Sequence, residues 1–166
     1  MRHPNLTHNG EVYDLSHFNP YTFDFELRTE EFKDAPVRIK VIFSVHCYAK
    51  KSVEGDPQEL IRQDHRGEDR TFCPSRYKDS LTVRDEISKM VQEKVRHTGG
   101  TNFFYLPNGV ELYFQVIKSK SDDADLLLRI QSMYTRTVGN PPNAGMIPFF
   151  KIVYQTMKGN KINTNR

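Results

Sequence analysis

The sequence predicts an α+β fold: a single domain in which a curved antiparallel sheet of about six strands packs on one long helix. Three observations carry that expectation. Segments on both sides of the centre alternate apolar and polar side chains with period two. One central segment instead places its apolar residues at helical period. The connections are too short for βαβ winding, so the strands are expected to run antiparallel. With 166 residues, 11 Phe and 8 Tyr, the chain is long enough to bury a core.

The elements follow in order. Tyr21 to Arg28 sets Tyr21, Phe23, Phe25 and Leu27 on one side and Thr22, Asp24, Glu26 and Arg28 on the other. Val37 to Tyr48 alternates too. Val37, Ile39, Val41, Phe43, Val45 and Cys47 face one way, and Arg38, Lys40, Ile42, Ser44, His46 and Tyr48 the other. Lys50 to Arg70 is dense in charge, holds Gly55, Pro57 and Gly67, and reads as a surface loop.

The long helix rests on Val83, Ile87, Met90, Val91 and Val95, an apolar stripe at i, i+4, i+7, i+8 and i+12. Ser80 and Thr82 are cap candidates. Asp85 and Glu86 suit the positive N-terminal end, and Lys94 and Arg96 the negative C-terminal end. Gly99-Gly100 supplies a left-handed stop.

Period two then returns. Asn102 to Leu106 and Val110 to Lys118 flank Asn108-Gly109, a hairpin signal. Leu126 to Arg136 is a further strand. Val138 to Pro148 reads VGNPPNAGMIP, turn chemistry almost throughout. Phe149 to Met157 is expected as the last strand, with Pro148 at its start. Residues 1–17 and 159–166 are expected to be flexible ends.

Composition narrows the function classes. No apolar run approaches the roughly 20 residues that cross a bilayer. Met1 to Gly10 is polar, without a signal-peptide stretch. The expected location is therefore the cytoplasm, with Cys47 and Cys73 reduced and Asn5-Leu6-Thr7 a chance sequon. The net charge of +3 permits nucleic acid as a partner without implying it.

Alternation fixes the solvent-facing side of the sheet. Val41, Phe43, Leu112, Phe114, Val116, Leu128 and Ile130 are assigned to the core. Opposite them stand Lys40, Ser44, His46 and Tyr48, then Tyr113 and Gln115, then Arg129 and Gln131. Lys151 and Gln155 are added from the last strand. Cations for phosphate, amides for hydrogen bonding and rings for stacking are the mixture that binds single-stranded nucleic acid. An ordinary wet face is polar by necessity and fits the same residues.

Candidate chemistry is thin. His46, Cys47, His65 and Cys73 have the ligand types of a zinc site. Their spacing is not that of a zinc knuckle, and adjacent strand residues point apart, so no metal is expected. A cysteine nucleophile lacks a local signature. No Walker loop, dinucleotide glycine pattern, HExxH, G-x-S-x-G or paired-carboxylate motif is present, and no cofactor is expected. His46, His97 and Arg129 are the residue types for metal-independent RNA cleavage: a base, an acid and a phosphate-binding cation. A histidine at position 97 also simply complements a helix C-terminus.

The stretches FSVHCY, RTFCPSRY, HTGGTNFFYL, LLLRIQSMYTR and PFFKIVYQTM together resemble a family of short proteobacterial proteins, often plasmid- or prophage-borne, labelled stationary-phase growth adaptation proteins. The likeness spans roughly residues 18 to 160. It implies no mechanism and no site residue. A helix followed by four antiparallel strands also looks like the plan of barnase- and RelE-type ribonucleases, from which the two strands before the helix depart.

The expected function is therefore nucleic-acid-directed: an RNA-binding protein acting as a small metal-independent ribonuclease that restrains growth. His46, His97 and Arg129 are its catalytic candidates; Lys40, Tyr48, Tyr113, Gln131 and Lys151 are its RNA contacts. The alternative is a non-enzymatic module that binds a protein partner through a strand edge or sheet face. No membrane partner is expected.

Overall fold

The computed structural model of the chain describes residues 2–33, 35–98 and 100–162. β1 (Leu6–His8) and β2 (Glu11–Tyr13) form a hairpin across Asn9-Gly10, where both residues have positive φ, as a two-residue turn matched to strand twist requires. β3 (Tyr21–Phe25) and β4 (Val37–Phe43) pair antiparallel. β5 (Ala49–Lys51), β6 (Ile61–Gln63) and β7 (Asp69–Phe72) form a small sheet in the order β5-β7-β6. Two short helices follow, α1 (Pro74–Ser80) and α2 (Val83–Met90). Then come β8 (Lys94–His97), β9 (Asn102–Tyr105), β10 (Glu111–Lys118), β11 (Leu126–Tyr134), β12 (Gly145–Pro148) and α3 (Phe149–Lys158).

The main sheet has seven strands in the order β12-β8-β9-β10-β11-β4-β3. Every neighbouring pair is antiparallel except β4 and β11, which run parallel with Val41 opposite Leu128. The six-stranded antiparallel sheet on one long helix is thus corrected. The sheet is mixed and larger, and three short helices replace one.

The expected long helix stops early. Gln92 N–H donates to Lys89 O and Glu93 N–H to Met90 O, a tightening of the last turn. Lys94–His97 then pairs with β9 on one side and β12 on the other. Val95 is buried at either period, so the apolar stripe runs on by coincidence. Two flanking ladders satisfy the backbone groups of β8, and tertiary pairing overrides local preference. The expected stop at Gly99 lies outside the described residues, as do positions 163–166 of the tail.

The last expected strand is a helix. Phe149, Ile152 and Val153 are buried, the i, i+3, i+4 stripe of α3. Extended Pro148 precedes it and left-handed Gly159 (φ 71°) ends it. Lys151, expected on the sheet, is exposed on α3 instead. Both expected loops also hold strands: β5 and β6 within 50–70, and β12 at the end of 138–148.

One apolar cluster joins these elements. Val37, Ile39, Val41 and Phe43 of β4, Leu126, Leu128 and Ile130 of β11, and Leu112, Phe114 and Val116 of β10 share a face. Val83, Ile87 and Met90 of α2 pack in the same cluster, as do Phe149, Ile152 and Val153 of α3. The N-terminal segment adds Leu6 and Leu15, both essentially buried. Burial of each such side chain stabilises the fold by roughly 1.5–3 kcal/mol. The opposite face of β4, β10 and β11 carries Arg38, Lys40, Ile42, Gln115 and Arg129, none of them buried. The small sheet and its turns wall one end of that face.

Candidate functional site

β4 ends at Phe43 because the chain turns there. Ser44 N–H donates to Ile130 O at 2.9 Å, the last rung beside β11. Ser44 Oγ then accepts from His46 N–H at 3.3 Å and opens a single 3-10 turn, Val45–Cys47. The turn swings His46 outward and sends Cys47 and Tyr48 into the core. Tyr48 is therefore not on the wet face, a correction to the alternation expected through residue 48. Its ring lies 4.9 Å from that of Phe18, and its hydroxyl is 2.9 Å from His3 Nδ1.

A second turn faces His46. Gly67 N–H donates to Asp64 O, with Gly67 left-handed at φ 77°, and Asp64 N–H donates to Glu68 O. The Asp64 carboxylate is the hub. It accepts from the backbone N–H of Arg66 (2.8 Å) and Glu68 (3.1 Å), from Arg70 Nε (3.2 Å) and from His46 Nε2 (3.0 Å). The His46 hydrogen bond leads the group of donors that holds this carboxyl far below the ordinary carboxylate range. An ionised carboxylate only accepts, so Nε2 of His46 carries the proton and Nδ1 is the basic nitrogen of the neutral ring.

Between this turn and the sheet lies a groove of about 640 Å³. Its floor is Ile42, Gln115 and Arg129, which are cross-strand partners on β4, β10 and β11. The register of β10 and β11 slips between Tyr113 and Phe114, which leaves Gln131 unpaired, and its side chain reaches the groove. Ser44 and His46 form one wall; Asp64, His65, Arg66 and Arg70 form the other. Arg70 is neutralised by Asp64 and Glu68. Arg66 and Arg129 are exposed and have no carboxylate partner among the described residues. The groove is thus cationic, with one fixed imidazole at its rim.

His46, Arg129 and Gln131 meet in this groove. Lys40 shares the open face but is ion-paired with Asp123 and lines a separate depression beside Leu127. Tyr113 is on the same face yet only 8% exposed, its hydroxyl donating to Glu111. His97 does not converge. It is 4% exposed, with Nδ1 2.6 Å from Asn102 Oδ1, on the helix side of the sheet. Its pairing row runs through Asn102, Phe114 and Ile130 to Phe43, so four strand spacings, about 19 Å, separate it from the end of β4 where the His46 turn begins, and it faces the other side of the sheet. Alternation within β8 buries His97 once Lys94 and Arg96 face out.

Asp64, Arg66 and Arg70 line the groove without standing out in the sequence, and His65 stands out there only as a residue of metal-ligand type. The signal present was local: Asp64 and Gly67 bracket a turn. Nothing local shows that the turn stands over the sheet. Cys47 Sγ is buried beside Ile130 O and Cys73 Sγ lies 3.2 Å from Ser75 Oγ, so the two thiols point to different surroundings. Among the described residues no three His, Cys, Asp or Glu side chains are grouped as metal ligands. No described helix is long and apolar enough to cross a membrane.

Residues 5–157 match the family model described as the YjaZ family. No curated protein and no solved structure matches the chain.

Proposed function

The chain belongs to the YjaZ family, a bacterial family, and on that premise we propose that its groove binds RNA and cleaves it without metal. The observation that carries the reading is His46 clamped by buried Asp64 at the edge of a groove whose Arg66 and Arg129 have no carboxylate partner among the described residues. An arginine without a counter-ion at a concave surface attracts phosphate. An imidazole held by a carboxylate keeps one tautomer and is stabilised when it takes a proton.

The chemistry follows from those groups. Nδ1 of His46 removes the 2′-hydroxyl proton while the 2′-oxygen attacks phosphorus. The P–O bond to the 5′-oxygen breaks, and that oxygen takes a proton from His65, the other imidazole lining the groove. Arg129 and Arg66 bear the negative charge that gathers on the phosphoryl oxygens. The products are a 2′,3′-cyclic phosphate and a free 5′-hydroxyl. Such an enzyme would work in the cytoplasm and would restrain growth, in agreement with the likeness to stationary-phase growth adaptation proteins.

The test is retention and cleavage of labelled RNA at low salt. His46→Ala is expected to lose cleavage by about 10²-fold or more with retention kept, and Arg129→Ala to weaken retention. Protein that neither retains nor cuts RNA ends the reading.

A second reading, a non-enzymatic module that binds protein, draws on β12. It is an outer strand of the main sheet, and Met146 within it is 54% exposed. A partner that co-purifies with wild type and with Arg129→Ala, and is lost with Met146→Asp, would favour it.

A further inference from the structure

We propose that the groove continues into a second contact, a strip of arginine and tyrosine side chains on the same open face, so that the ligand is a single strand long enough to span from Arg129 to Tyr105. The proposal rests on the RNA reading of the groove.

Pairing register lays out the strip, because residues directly opposite in a ladder share a face. Arg129 is opposite Gln115. Two and four residues along β10 come Tyr113 and Glu111. Glu111 is opposite Tyr134 on β11 and Tyr105 on β9, and Tyr113 is opposite Phe103, itself opposite Arg96 on β8. From β11 to β8 the strip covers three strand spacings, about 14 Å.

The rings are held in a stack. Tyr113 lies parallel to Tyr134 (5.5 Å, 11°) and nearly so to Phe103 (5.3 Å, 26°). Tyr113 O–H donates to Glu111, which also binds Arg136 at 2.9 Å, and these groups lock the floor. Guanidinium groups cover the accessible rings: Arg76 lies 5.7 Å from the ring centre of Tyr134 and Arg96 5.4 Å from that of Tyr105. Arg76 also joins the strip to the groove, since it donates to the carbonyls of His46 (3.0 Å) and Ala49 (2.6 Å).

On the same open face Arg38 and Lys40 are paired with Asp24 and Asp123. Arg76 and Arg96, like Arg66 and Arg129, have no carboxylate partner among the described residues. Unneutralised guanidinium groups alternating with tyrosine rings suit unpaired bases, which stack on rings or guanidinium planes while phosphates meet the cations. A duplex keeps its base faces inside its own stack and gains nothing from the rings. Tyr105, 38% exposed at the far end, is the ring best placed to take a base.

The chain has no Trp, so Tyr105→Trp supplies its only indole. The probe is 2′-O-methyl RNA, which cannot be cleaved, as single strands of about two and about ten nucleotides, spanning the shorter sites known for such grooves. The longer strand is expected to quench the indole and to bind at least about tenfold more tightly than the dinucleotide. Tyr105→Ala is expected to cost the longer strand about tenfold and to leave dinucleotide binding unchanged. If the longer strand binds in an Arg129-dependent way but leaves the indole unquenched and is indifferent to Tyr105→Ala, the strip is overturned while the groove reading stands. If neither strand is retained at low salt, both fall.

Discussion

His46 Nε2 meets Asp64 Oδ2 at 3.0 Å, and the carboxylate side chain is only 1% exposed. The two residues come from different substructures, His46 from the turn that ends β4 and Asp64 from the turn between β6 and β7. The imidazole is therefore aimed by the way the small sheet sits on the large one, and any change that loosens the small sheet should blunt it.

Asp64→Asn tests the hub. The carboxyl titrates far lower in the folded chain than its ordinary 3.8, so unfolded chains take up the proton first. The stability it contributes is present above pH 3.8 and is lost progressively as pH falls below that value toward the lower one at which the folded carboxyl takes its proton. Thermal midpoints followed down to acid pH should fall steeply for wild type and less steeply for Asp64→Asn, which should already be lower at neutral pH. Identical acid slopes would show that Asp64 is not held this way.

His3 should give a separate, milder pH dependence. Burial against Phe18 and Tyr48 is the chief reason its pKa lies below 6.5 in the folded chain. A neutral imidazole is preferred in the folded state, so its contribution is complete above 6.5 and declines as pH drops below that value. His3→Asn should flatten the stability curve between about pH 6.5 and 5. An unchanged curve would place the titration elsewhere.

Arg129→Ala should weaken RNA binding and Lys151→Ala should not. Arg129 lines the groove, whereas Lys151 is exposed on α3, on the far side of the sheet. Loss of one phosphate contact lowers the slope of log affinity against log salt by about 1. Arg129→Ala should show that change, and Lys151→Ala should match wild type. A matching loss for Lys151→Ala would move the binding surface to α3.

The cysteines should differ in reactivity. Burial pushes the Cys47 thiol up to about 12. Cys73, partly exposed and hydrogen-bonded to Ser75 Oγ, has its thiol lowered from the ordinary 9. Under native conditions iodoacetamide should label Cys73 alone, and unfolding should release the second site. Labelling of Cys47 in the folded protein would contradict its place beneath β11.

Ile152→Ala should destabilise the fold by about 2–5 kcal/mol. Phe150→Ala should change stability by roughly 0.5 kcal/mol or less, because Phe150 is 53% exposed. Urea titration of both variants checks the helical stripe of α3. Equal costs would mean that 149–158 does not bury one helical face.

Much of the sheet was legible. Val41, Phe43, Leu112, Phe114, Val116, Leu128 and Ile130 follow from alternation alone, and all are buried. Alternation misled where two periods coincide. Val95 fits both a helix and a strand, and aromatic and β-branched residues from Phe149 to Tyr154 suggest a strand although Phe149, Ile152 and Val153 keep helical spacing. The parallel pairing of β4 with β11 is non-local and leaves no local mark. At the site, His46, Gln131 and Arg129 were legible as outward-facing residues, but His46 gets there through a turn that alternation does not describe. Asp64, Arg66 and Arg70 were hidden because their importance comes from where a turn is carried, not from what it contains.

The parallel pair also shapes how the chain matures. Arg38 N–H donates to Asp125 at 2.7 Å, a partner 87 positions later in the chain. During synthesis the apolar edge of β4 must wait until β11 leaves the ribosome. Such distant pairing slows folding and leaves the nascent half exposed to aggregation. Production of this protein should therefore respond to elongation rate and to chaperones that shield unpaired strands.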